Sequence, residues 1–100
     1  MYPTLRPGDR ILFDRIAYKL TVPQPGDIVL ARRSSRANAR FIKRVAAPPA
    51  AGVLAPVEYW LLGDNPDAST DSRTLGPFRR EDILARAWVI YWPRDRFRRL

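Results

Sequence analysis

Five short apolar runs, separated by turns rich in proline and glycine, set the pattern of this chain. The runs have the length and the β-branched or aromatic content of strands, and they span residues 10–16, 28–32, 40–46, 57–62 and 85–92. Helical periodicity is confined to residues 79–84, which form one turn at most. The pattern therefore predicts a single, mostly β domain over residues 1–100, built of twisted antiparallel hairpins and not of βαβ units.

The segments between these runs differ in character. Two Pro-Gly-Asp turns, at 7–9 and 25–27, each precede a predicted strand. Residues 33–40 are polar and basic, as expected for a surface hairpin loop, and residues 48–56 form a loop rich in proline and alanine. Residues 94–100 follow the last strand and are predicted to be a basic tail.

The chain contains neither cysteine nor histidine. This absence excludes a Ser-His-Asp triad, a Cys-His dyad and the common transition-metal sites, so we predict no metal and no cofactor. Any nucleophilic chemistry must then use a hydroxyl group, with a lysine or a carboxylate as the base.

The chain is strongly basic. Its formal net charge is +8, and of its 18 basic residues only Lys19 and Lys43 are lysines. Such an arginine excess is compatible with binding to nucleic acid, with an anionic membrane surface, or with codon composition and no partner at all. The longest apolar run, 45–57, has about 13 residues and is interrupted by proline and glycine, so it is too short to span a bilayer.

Lys43 stands out because the chain otherwise uses arginine for nearly all of its positive charge. Strand alternation over 40–46 places Phe41, Lys43 and Val45 on one face, where the lysine is partly desolvated between apolar neighbours. Burial lowers the pKa of a lysine, and a neutral lysine can take a proton from a serine hydroxyl, which arginine cannot do. The alternative is a strand lysine whose ammonium group extends from an apolar face to water.

The second candidate region is the loop from Gly63 to Arg73, closed by Gly76-Pro77. It is rich in Gly, Asn, Asp, Ser and Pro, and it follows the strand predicted over 57–62. Loops rooted on a sheet commonly carry chemistry. The alternative is an elaborate turn that contains a solvated Asp–Arg pair.

Taken together, these motifs resemble those of the type I signal peptidase family of serine proteases. The segments that carry the resemblance are Met1-Tyr2-Pro3-Thr4-Leu5 with Pro7-Gly8-Asp9, Pro25-Gly26-Asp27-Ile28-Val29, Phe41-Ile42-Lys43-Arg44-Val45, the loop 63–77 and Ala87-Trp88-Val89-Ile90-Tyr91-Trp92-Pro93. They cover nearly the whole chain and occur in the family's order and spacing. The length of the chain favours the short subgroup that resembles maturation proteases for nickel-type superoxide dismutase.

The resemblance implies a signal peptidase-like catalytic fold and a Ser/Lys dyad. Lys43 would be the general base, and the hydroxyl of Ser69 would orient its ammonium group. The loop residues that would shape the site are Gly63, Asp64, Asn65, Asp71 and Arg73, with an ion pair between the last two. The residues that would bind substrate are Met1, Tyr2, Pro3, Phe41 and Val45.

The reaction implied by the resemblance is cleavage of a peptide bond after small side chains, which removes a leader or pro-segment from a preprotein. The substrate would bind as an added β-strand. An anchor before Met1 would place the domain on the outer face of the cytoplasmic membrane, and without an anchor the protein would be cytoplasmic.

Two departures from the family pattern are visible. The family's nucleophilic serine belongs directly before Met1, so the domain is expected to lack the N-terminal segment that carries it and, as it stands, to be inactive. The other hydroxyl groups are not expected to replace that serine; they belong to Thr4, Ser34, Ser35 and Ser72. The lysine motif continues as Ala47-Pro48-Pro49-Ala50-Ala51, where the family has Gly-x-Pro-Gly-Asp, so the following hairpin is expected to differ.

Two alternative functions stand beside the peptidase. A small basic β module would bind nucleic acid, with Trp60, Tyr91 and Trp92 as stacking surfaces. These aromatic residues fall in apolar strand runs typical of a core, so nucleic acid is not the expected partner. A non-catalytic relative would keep the peptide groove without a nucleophile.

Overall fold

A computed structural model of the chain describes residues 1–33, 39–48, 58–65 and 70–100. Its strands are β1 Arg10–Asp14, β2 Ile28–Arg33, β3 Ala39–Ala46, β4 Glu58–Leu62, β5 Phe78–Arg79, β6 Ile83–Trp92 and β7 Arg98–Arg99. Its helical elements are α1 Ala17–Leu20, α2 Ser72–Leu75 and two 3₁₀ turns, Arg80–Asp82 and Arg94–Arg96. Within the described ranges, no helix is long and apolar enough to cross a membrane. Most of the predicted connector 33–40, most of the proline–alanine loop and the candidate residue Ser69 lie outside these ranges.

The described strands pair antiparallel in the order β1-β6-β2-β3-β4-β5, and β7 adds to β6. The ten-residue strand β6 is central, because its apolar and β-branched residues let it pair with β1, β2 and β7. β3 joins the sheet through β2, with Val29 opposite Lys43. The prediction of a mostly β domain made of antiparallel hairpins is confirmed.

Alternation along the strands produces two apolar clusters. The buried members of the first are Tyr18, Val29, Ala31, Val45, Leu61, Phe78 and Ile83, and those of the second are Leu5, Ile28, Ala87 and Ile90. Phe41 packs against the first cluster and Ile42 against the second. The predicted assignment of faces on β3 is therefore confirmed, and burial of apolar surface, at about 25 cal/mol per Å², stabilises both sides of the sheet.

The segment 94–100, predicted to be a basic tail, is folded onto the sheet. Arg94–Arg96 forms a 3₁₀ turn, and Arg98–Arg99 pairs with β6. Leu100 packs against the second apolar cluster. The prediction of a tail was wrong because tertiary pairing, which leaves no local pattern in so short a segment, determines its structure.

Tyr91 and Trp92, at the end of β6, are not in the core, contrary to the sequence prediction, and Trp88 is exposed as well. Trp88, Tyr91 and Trp92 are 48%, 41% and 45% exposed, whereas Trp60 is partly buried. β1 and β7 occupy the two edges of this part of β6, and the rings extend from the sheet into solvent.

Helix α2, Ser72–Leu75, lies within the loop 63–77, for which the sequence predicted no helix. Asp71 caps its first turn by accepting a hydrogen bond from the backbone N–H of Arg73 at 3.1 Å. Gly76, with φ at 80°, ends it, and glycine adopts this backbone conformation without steric cost. Four residues are too few to show helical periodicity in the sequence.

Candidate active site

Lys43 lies on β3 opposite Val29 of β2, and it is only 8% exposed. Its neighbours on the same face, Phe41 and Val45, pack in the first apolar cluster. Burial lowers the pKa of Lys43 below its ordinary value of 10.5. Nearby charges have smaller and opposing effects on this pKa, because Asp71 raises it and Arg73 lowers it. A lowered pKa is the change that the predicted role of Lys43 as a general base requires.

Asp71 and Arg73 form the ion pair that the sequence predicted. The Arg73 guanidinium donates from Nε to Oδ1 at 3.0 Å and from Nη2 to Oδ2 at 2.9 Å. Asp71 is fully buried, and its Oδ2 also accepts a hydrogen bond from the backbone N–H of Gly63 at 3.0 Å. One carboxylate therefore joins the two limbs of the loop that follows β4.

Ser72 ties the same loop to β4. It is 1% exposed, and its hydroxyl oxygen accepts a hydrogen bond from the backbone N–H of Leu61 at 2.8 Å. A hydroxyl group enclosed in the core in this way is not accessible to a substrate, which agrees with the expectation that Ser72 does not act as the nucleophile. Its contact instead fixes where the loop leaves the sheet.

Arg33, the last residue of β2, holds the far end of the loop. Its Nη2 donates to the carbonyl oxygens of Gly76 at 3.2 Å and Pro77 at 2.9 Å. Its guanidinium lies 4.0 Å from the ring centroid of Phe78. Because the rings of Phe78 and Phe41 pack edge to face with centroids 6.2 Å apart, this end of the loop is coupled by packing to β3.

Asp64 connects three parts of the chain that are distant in sequence. It accepts two hydrogen bonds from Arg44, at 2.9 and 2.8 Å, and one from the hydroxyl of Thr4. Arg44 also donates from Nη1 to the carbonyl oxygen of Gly26 at 2.9 Å. The bonds from Arg44 first, and then the bond from Thr4, lower the pKa of Asp64. The N-terminal segment and the lysine strand therefore meet at the Asp64 carboxylate, and Arg44 links this strand to the second Pro-Gly-Asp turn.

The structure describes only part of the loop from Gly63 to Arg73, which is predicted to support Lys43. Asn65 is half-buried and is the last described residue before 66–69. Ser69 lies outside the described part of the chain, so its hydroxyl contact with Lys43 stays a prediction. The loop residues that the structure does describe lie at the end of β4, next to β3.

A groove of about 530 Å³ lies between β3 and the N-terminal part of the chain. Residues 40–43 form one wall, and Met1, residues 5–9 and Ile11 form the other. Lys43 is thus part of the wall of an open groove.

The substrate-binding residues predicted from the resemblance are placed differently from one another. Met1 and Phe41 line the groove. Tyr2 and Pro3 are exposed and do not contribute to its walls, and Val45 is 3% exposed within the first apolar cluster. The structure therefore brings two of these five residues together at the groove.

Within the described part of the chain, β3 has an open edge ahead of Lys43. β2 pairs with β3 from Ala39 to Arg44, whereas β4 pairs only with Arg44, Val45 and Ala46. Ala39–Ile42 have no described strand on the side opposite β2. Such an edge offers backbone N–H and C=O groups to an extended peptide.

Three contributors to the site were not predicted from the sequence: Arg33, Arg44 and Thr4. Arg44 and Thr4 stand inside recognised motifs, but their common partner Asp64 is 20 and 60 residues away, respectively. Arg33 gave no signal because it stands at the start of a basic connector. Among the described residues, no group of carboxylates is placed to hold a metal ion.

The family described as signal peptidase, peptidase S26, matches residues 1–54 and 50–92 of this chain. The chain is 33% identical to the probable signal peptidase I-2 of Synechocystis sp., over 93% of this chain and 59% of that protein. It is 30% identical to signal peptidase I of Leptolyngbya laminosa, over 96% of this chain and 66% of that protein.

A eukaryotic relative shows the same likeness. The mitochondrial inner membrane protease subunit 1 of Xenopus tropicalis is 32% identical, over 97% of this chain and 66% of that protein. The chain spans 59% to 66% of the length of these three relatives. With more than half of its residues matched, it belongs to the signal peptidase family, peptidase S26.

Proposed function

We propose that this chain is the catalytic part of a serine-type endopeptidase that removes leader or pro-segments, with Lys43 as the general base. The observation that carries the proposal is the position of Lys43, which is 8% exposed, lines a groove of about 530 Å³ and follows an open strand edge. The base and a binding surface for an extended peptide are therefore adjacent. Membership of the signal peptidase family supports the same reaction.

The chemical step uses a hydroxyl nucleophile and the lysine base. The resemblance places the nucleophilic serine directly before Met1, and Met1 lines the same groove as Lys43. Neutral Lys43 takes the hydroxyl proton as the serine oxygen adds to the scissile carbonyl carbon. The proton then passes to the leaving amine as the C–N bond breaks, and a water molecule deprotonated by Lys43 hydrolyses the acyl-enzyme.

The loop after β4 is proposed to support Lys43 in this step. Ser69 orients the lysine through its hydroxyl, and Asn65 contributes to the turn that brings Ser69 into place. The ion pair between Asp71 and Arg73, at 2.9 Å, holds the loop in shape. Because one lysine must be both desolvated and held in a single rotamer, a loop whose shape is held by this ion pair serves the chemistry.

Substrate selection is proposed to follow from the groove walls. A peptide that adds to the edge of Ala39–Ile42 directs alternate side chains towards the groove. The walls of the groove include Met1, Leu5 and Phe41. These side chains are bulky, so only short substrate side chains fit next to the cleaved bond. Preproteins with small residues at these positions are therefore the proposed substrates. The narrower assignment to nickel-type superoxide dismutase maturation stays a prediction.

The test uses the protein with the residues natural to the N-terminal side of Met1 and a peptide that contains Ala-x-Ala. Cleavage after the second alanine, followed by mass spectrometry, is expected for the wild type. Lys43→Arg should abolish it, because arginine stays protonated near neutral pH. Lys19→Arg is the matched control: Lys19 is exposed on α1, and its replacement should change the rate by less than about twofold.

The same experiment separates the competing functions. A Lys43→Arg variant that retains more than about a tenth of the wild-type rate would overturn the role of Lys43 as base. Peptide binding without cleavage by the wild type would point to a non-catalytic peptide-binding relative. Affinity for RNA or DNA that falls steeply with salt, without cleavage, would point to the basic nucleic-acid module.

We also propose that an exposed aromatic face binds an anionic membrane surface. The aromatic face consists of Leu12, Trp88, Val89, Tyr91, Phe97 and Arg99, which surround a shallow depression of about 490 Å³. Phe97 is 65% exposed and Trp88 is 48% exposed. Contiguous exposure of large apolar side chains marks an interaction surface.

The chemistry of this face favours a lipid surface. Tryptophan and tyrosine are enriched where hydrocarbon meets headgroups, and basic side chains next to them are attracted to anionic lipids. Arg99 belongs to the face, and Arg10 lies over the neighbouring ring of Trp92, 5.9 Å from its centroid. The proposal places the domain at a membrane, on the outer face of the cytoplasmic membrane if an anchor precedes Met1.

Cosedimentation with vesicles of phosphatidylcholine and phosphatidylglycerol tests the membrane proposal. Phe97→Ser should weaken binding by about tenfold or more, because burial of one phenylalanine contributes roughly 1.5–3 kcal/mol. Val22→Ser is the control, since Val22 is 55% exposed outside the aromatic face. Equal binding by both variants would contradict the proposal. Preference for single-stranded DNA over vesicles, reduced by Phe97→Ser, would assign the face to nucleic acid.

A further inference from the structure

The N-terminal segment, residues 1–9, is folded into two consecutive turns. The backbone N–H of Leu5 donates to the carbonyl oxygen of Met1 at 3.0 Å, and the N–H of Asp9 donates to the carbonyl oxygen of Arg6 at 3.0 Å. The carboxylate of Asp9 closes the second turn by accepting a hydrogen bond from the N–H of Arg6 at 2.9 Å. Residues with so few backbone partners of their own need other contacts to hold them on the sheet.

Arg96 supplies those contacts from the other end of the chain. Its guanidinium donates to both oxygens of Asp9, from Nε at 2.7 Å and from Nη2 at 2.9 Å. Nη2 also reaches the carbonyl oxygen of Thr4 at 3.3 Å. The side chain of Asp9 is 2% exposed and that of Arg96 is 21% exposed, so the pair is shielded from water. One guanidinium therefore spans both turns of the N-terminal segment.

Arg98 and Leu100 extend this contact. Nη2 of Arg98 donates to the same carbonyl oxygen of Thr4 at 2.8 Å. Leu100 packs against the second apolar cluster, where Leu5 is buried and Met1 is partly buried. The N–H of Leu100 donates to the carbonyl oxygen of Trp88 at 2.9 Å, which fixes this end of the chain to β6.

Thr4 is consequently held from two directions. Its carbonyl oxygen accepts hydrogen bonds from Arg96 and Arg98, while its hydroxyl donates to Asp64. Asp64 is bonded in turn to Arg44, which directly follows Lys43 on β3. A continuous series of hydrogen bonds therefore runs from the C-terminal arginines, through the N-terminal segment, to the strand that carries the proposed base.

We propose that Arg96 and Arg98 are positioning residues for the reaction: they hold the N-terminal segment against β3 and so set the distance between the nucleophile next to Met1 and Lys43. The inference rests on the proposed function. Neither arginine lines the groove, and both act through Thr4, which is three residues from Met1. A displacement of about 1 Å between reacting groups can lower a rate by about a hundredfold. Loss of the hydrogen bonds from Arg96 and Arg98 should therefore lower the rate of cleavage.

Steady-state kinetics on the Ala-x-Ala peptide, with the protein that carries the residues natural to the N-terminal side of Met1, test this role. Arg96→Lys keeps the charge but loses the planar fork that spans Asp9 and Thr4, and it should lower kcat by about tenfold or more with KM changed less than about threefold. Arg98→Ala removes one bond only and should lower kcat by a smaller factor, about four- to tenfold. Arg94→Ala is the control, because Arg94 is exposed in the same 3₁₀ turn and its replacement should leave kcat within about twofold.

Circular dichroism at the assay temperature gives the folded fraction of each variant. A fall in kcat per folded molecule, with KM retained, supports positioning. A fall that matches the loss of folded protein, or a kcat within about threefold of wild type for a fully folded Arg96→Lys, overturns it. If Arg96→Lys does not fold, Arg98→Ala decides by the same criteria. Absence of cleavage by the wild type would overturn the proposed function, and this inference with it.

Discussion

Arg44 donates two nearly parallel hydrogen bonds to Asp64, from Nε to Oδ1 at 2.9 Å and from Nη2 to Oδ2 at 2.8 Å. Arg44 directly follows Lys43 on β3, and Asp64 is the second residue of the loop after β4. The pair therefore fixes the loop to the strand of the proposed base. With side chains 35% and 17% exposed, the pair is partly screened by water, so it contributes less than a fully buried pair.

Asp64→Asn should reduce the free energy of unfolding by about 1–2 kcal/mol, because charge-assisted bonds to Arg44 become weaker neutral ones. Urea denaturation at neutral pH measures the change. Glu81→Gln is the matched control, since its pair with Arg79 is 68% and 71% exposed and should contribute less than about 0.5 kcal/mol. Equal losses of unfolding free energy in the two variants would show that the pair of Arg44 and Asp64 stabilises the fold no more than an exposed ion pair does.

Ser72→Ala should mainly lower stability, whereas Ser69→Ala should mainly lower the rate. Ser72→Ala leaves the buried N–H of Leu61 without its acceptor, which should cost about 1–3 kcal/mol of stability with little change in rate per folded molecule. Ser69→Ala should lower the rate and cost only about 1 kcal/mol, because it removes one orienting hydrogen bond. Thermal unfolding and peptide cleavage are measured on the same samples. If both variants are equally destabilised and neither loses rate per folded molecule, both hydroxyl groups have a structural role only.

Asp9 should make the fold sensitive to acid. Hydrogen bonds from the Arg96 side chain and then from the backbone of Arg6 lower the pKa of Asp9 from 3.8 to about 2. A carboxyl group with a lowered pKa contributes its full stability above the unfolded value and loses it as the pH falls through the folded value. The difference in unfolding free energy between wild type and Asp9→Asn should therefore be largest near neutral pH and should narrow from about pH 4 to about pH 2.

Asp95→Asn provides the control for this acid effect. Asp95 is exposed in the 3₁₀ turn that also contains Arg96, so the substitution changes the charge of the same region. The variant should differ little from wild type at any pH in the series. A difference between wild type and Asp9→Asn that stays constant from neutral pH to about pH 2 would contradict the linkage argument.

Much of the sheet could be predicted because its signals are local. Alternation in β3 identified the face that Lys43 shares with Phe41, and this depends only on the two-residue period of a strand. The Pro-Gly-Asp turn at 25–27 marked the start of β2 for a similarly local reason. The ion pair between Asp71 and Arg73 was implied by the resemblance of the loop to the signal peptidase family.

The contacts that assemble the site could not be predicted, because they join residues far apart in the chain. Thr4 bonds to Asp64, and Arg96 bonds to Asp9, 87 residues away. An arginine in a basic segment has the same local pattern whether it is solvated or bonded, so Arg96 was assigned to a tail. Tyr91 was assigned to the core for a related reason, since an apolar strand run does not reveal which of its faces is left uncovered.

The pH dependence of cleavage should shift in opposite directions when the two charges beside Lys43 are removed. The rate should rise with pH as Lys43 loses its proton, and burial sets the midpoint below the ordinary lysine value of 10.5. Asp71 raises the pKa of Lys43, so Asp71→Asn should move the midpoint of kcat/KM to lower pH. Arg73 lowers that pKa, so Arg73→Gln should move the midpoint to higher pH. Glu81→Gln, at an exposed ion pair, should leave the midpoint unchanged. Shifts of the same sign in Asp71→Asn and Arg73→Gln would mean that distortion of the loop, and not the charge next to the lysine, determines the pKa of Lys43.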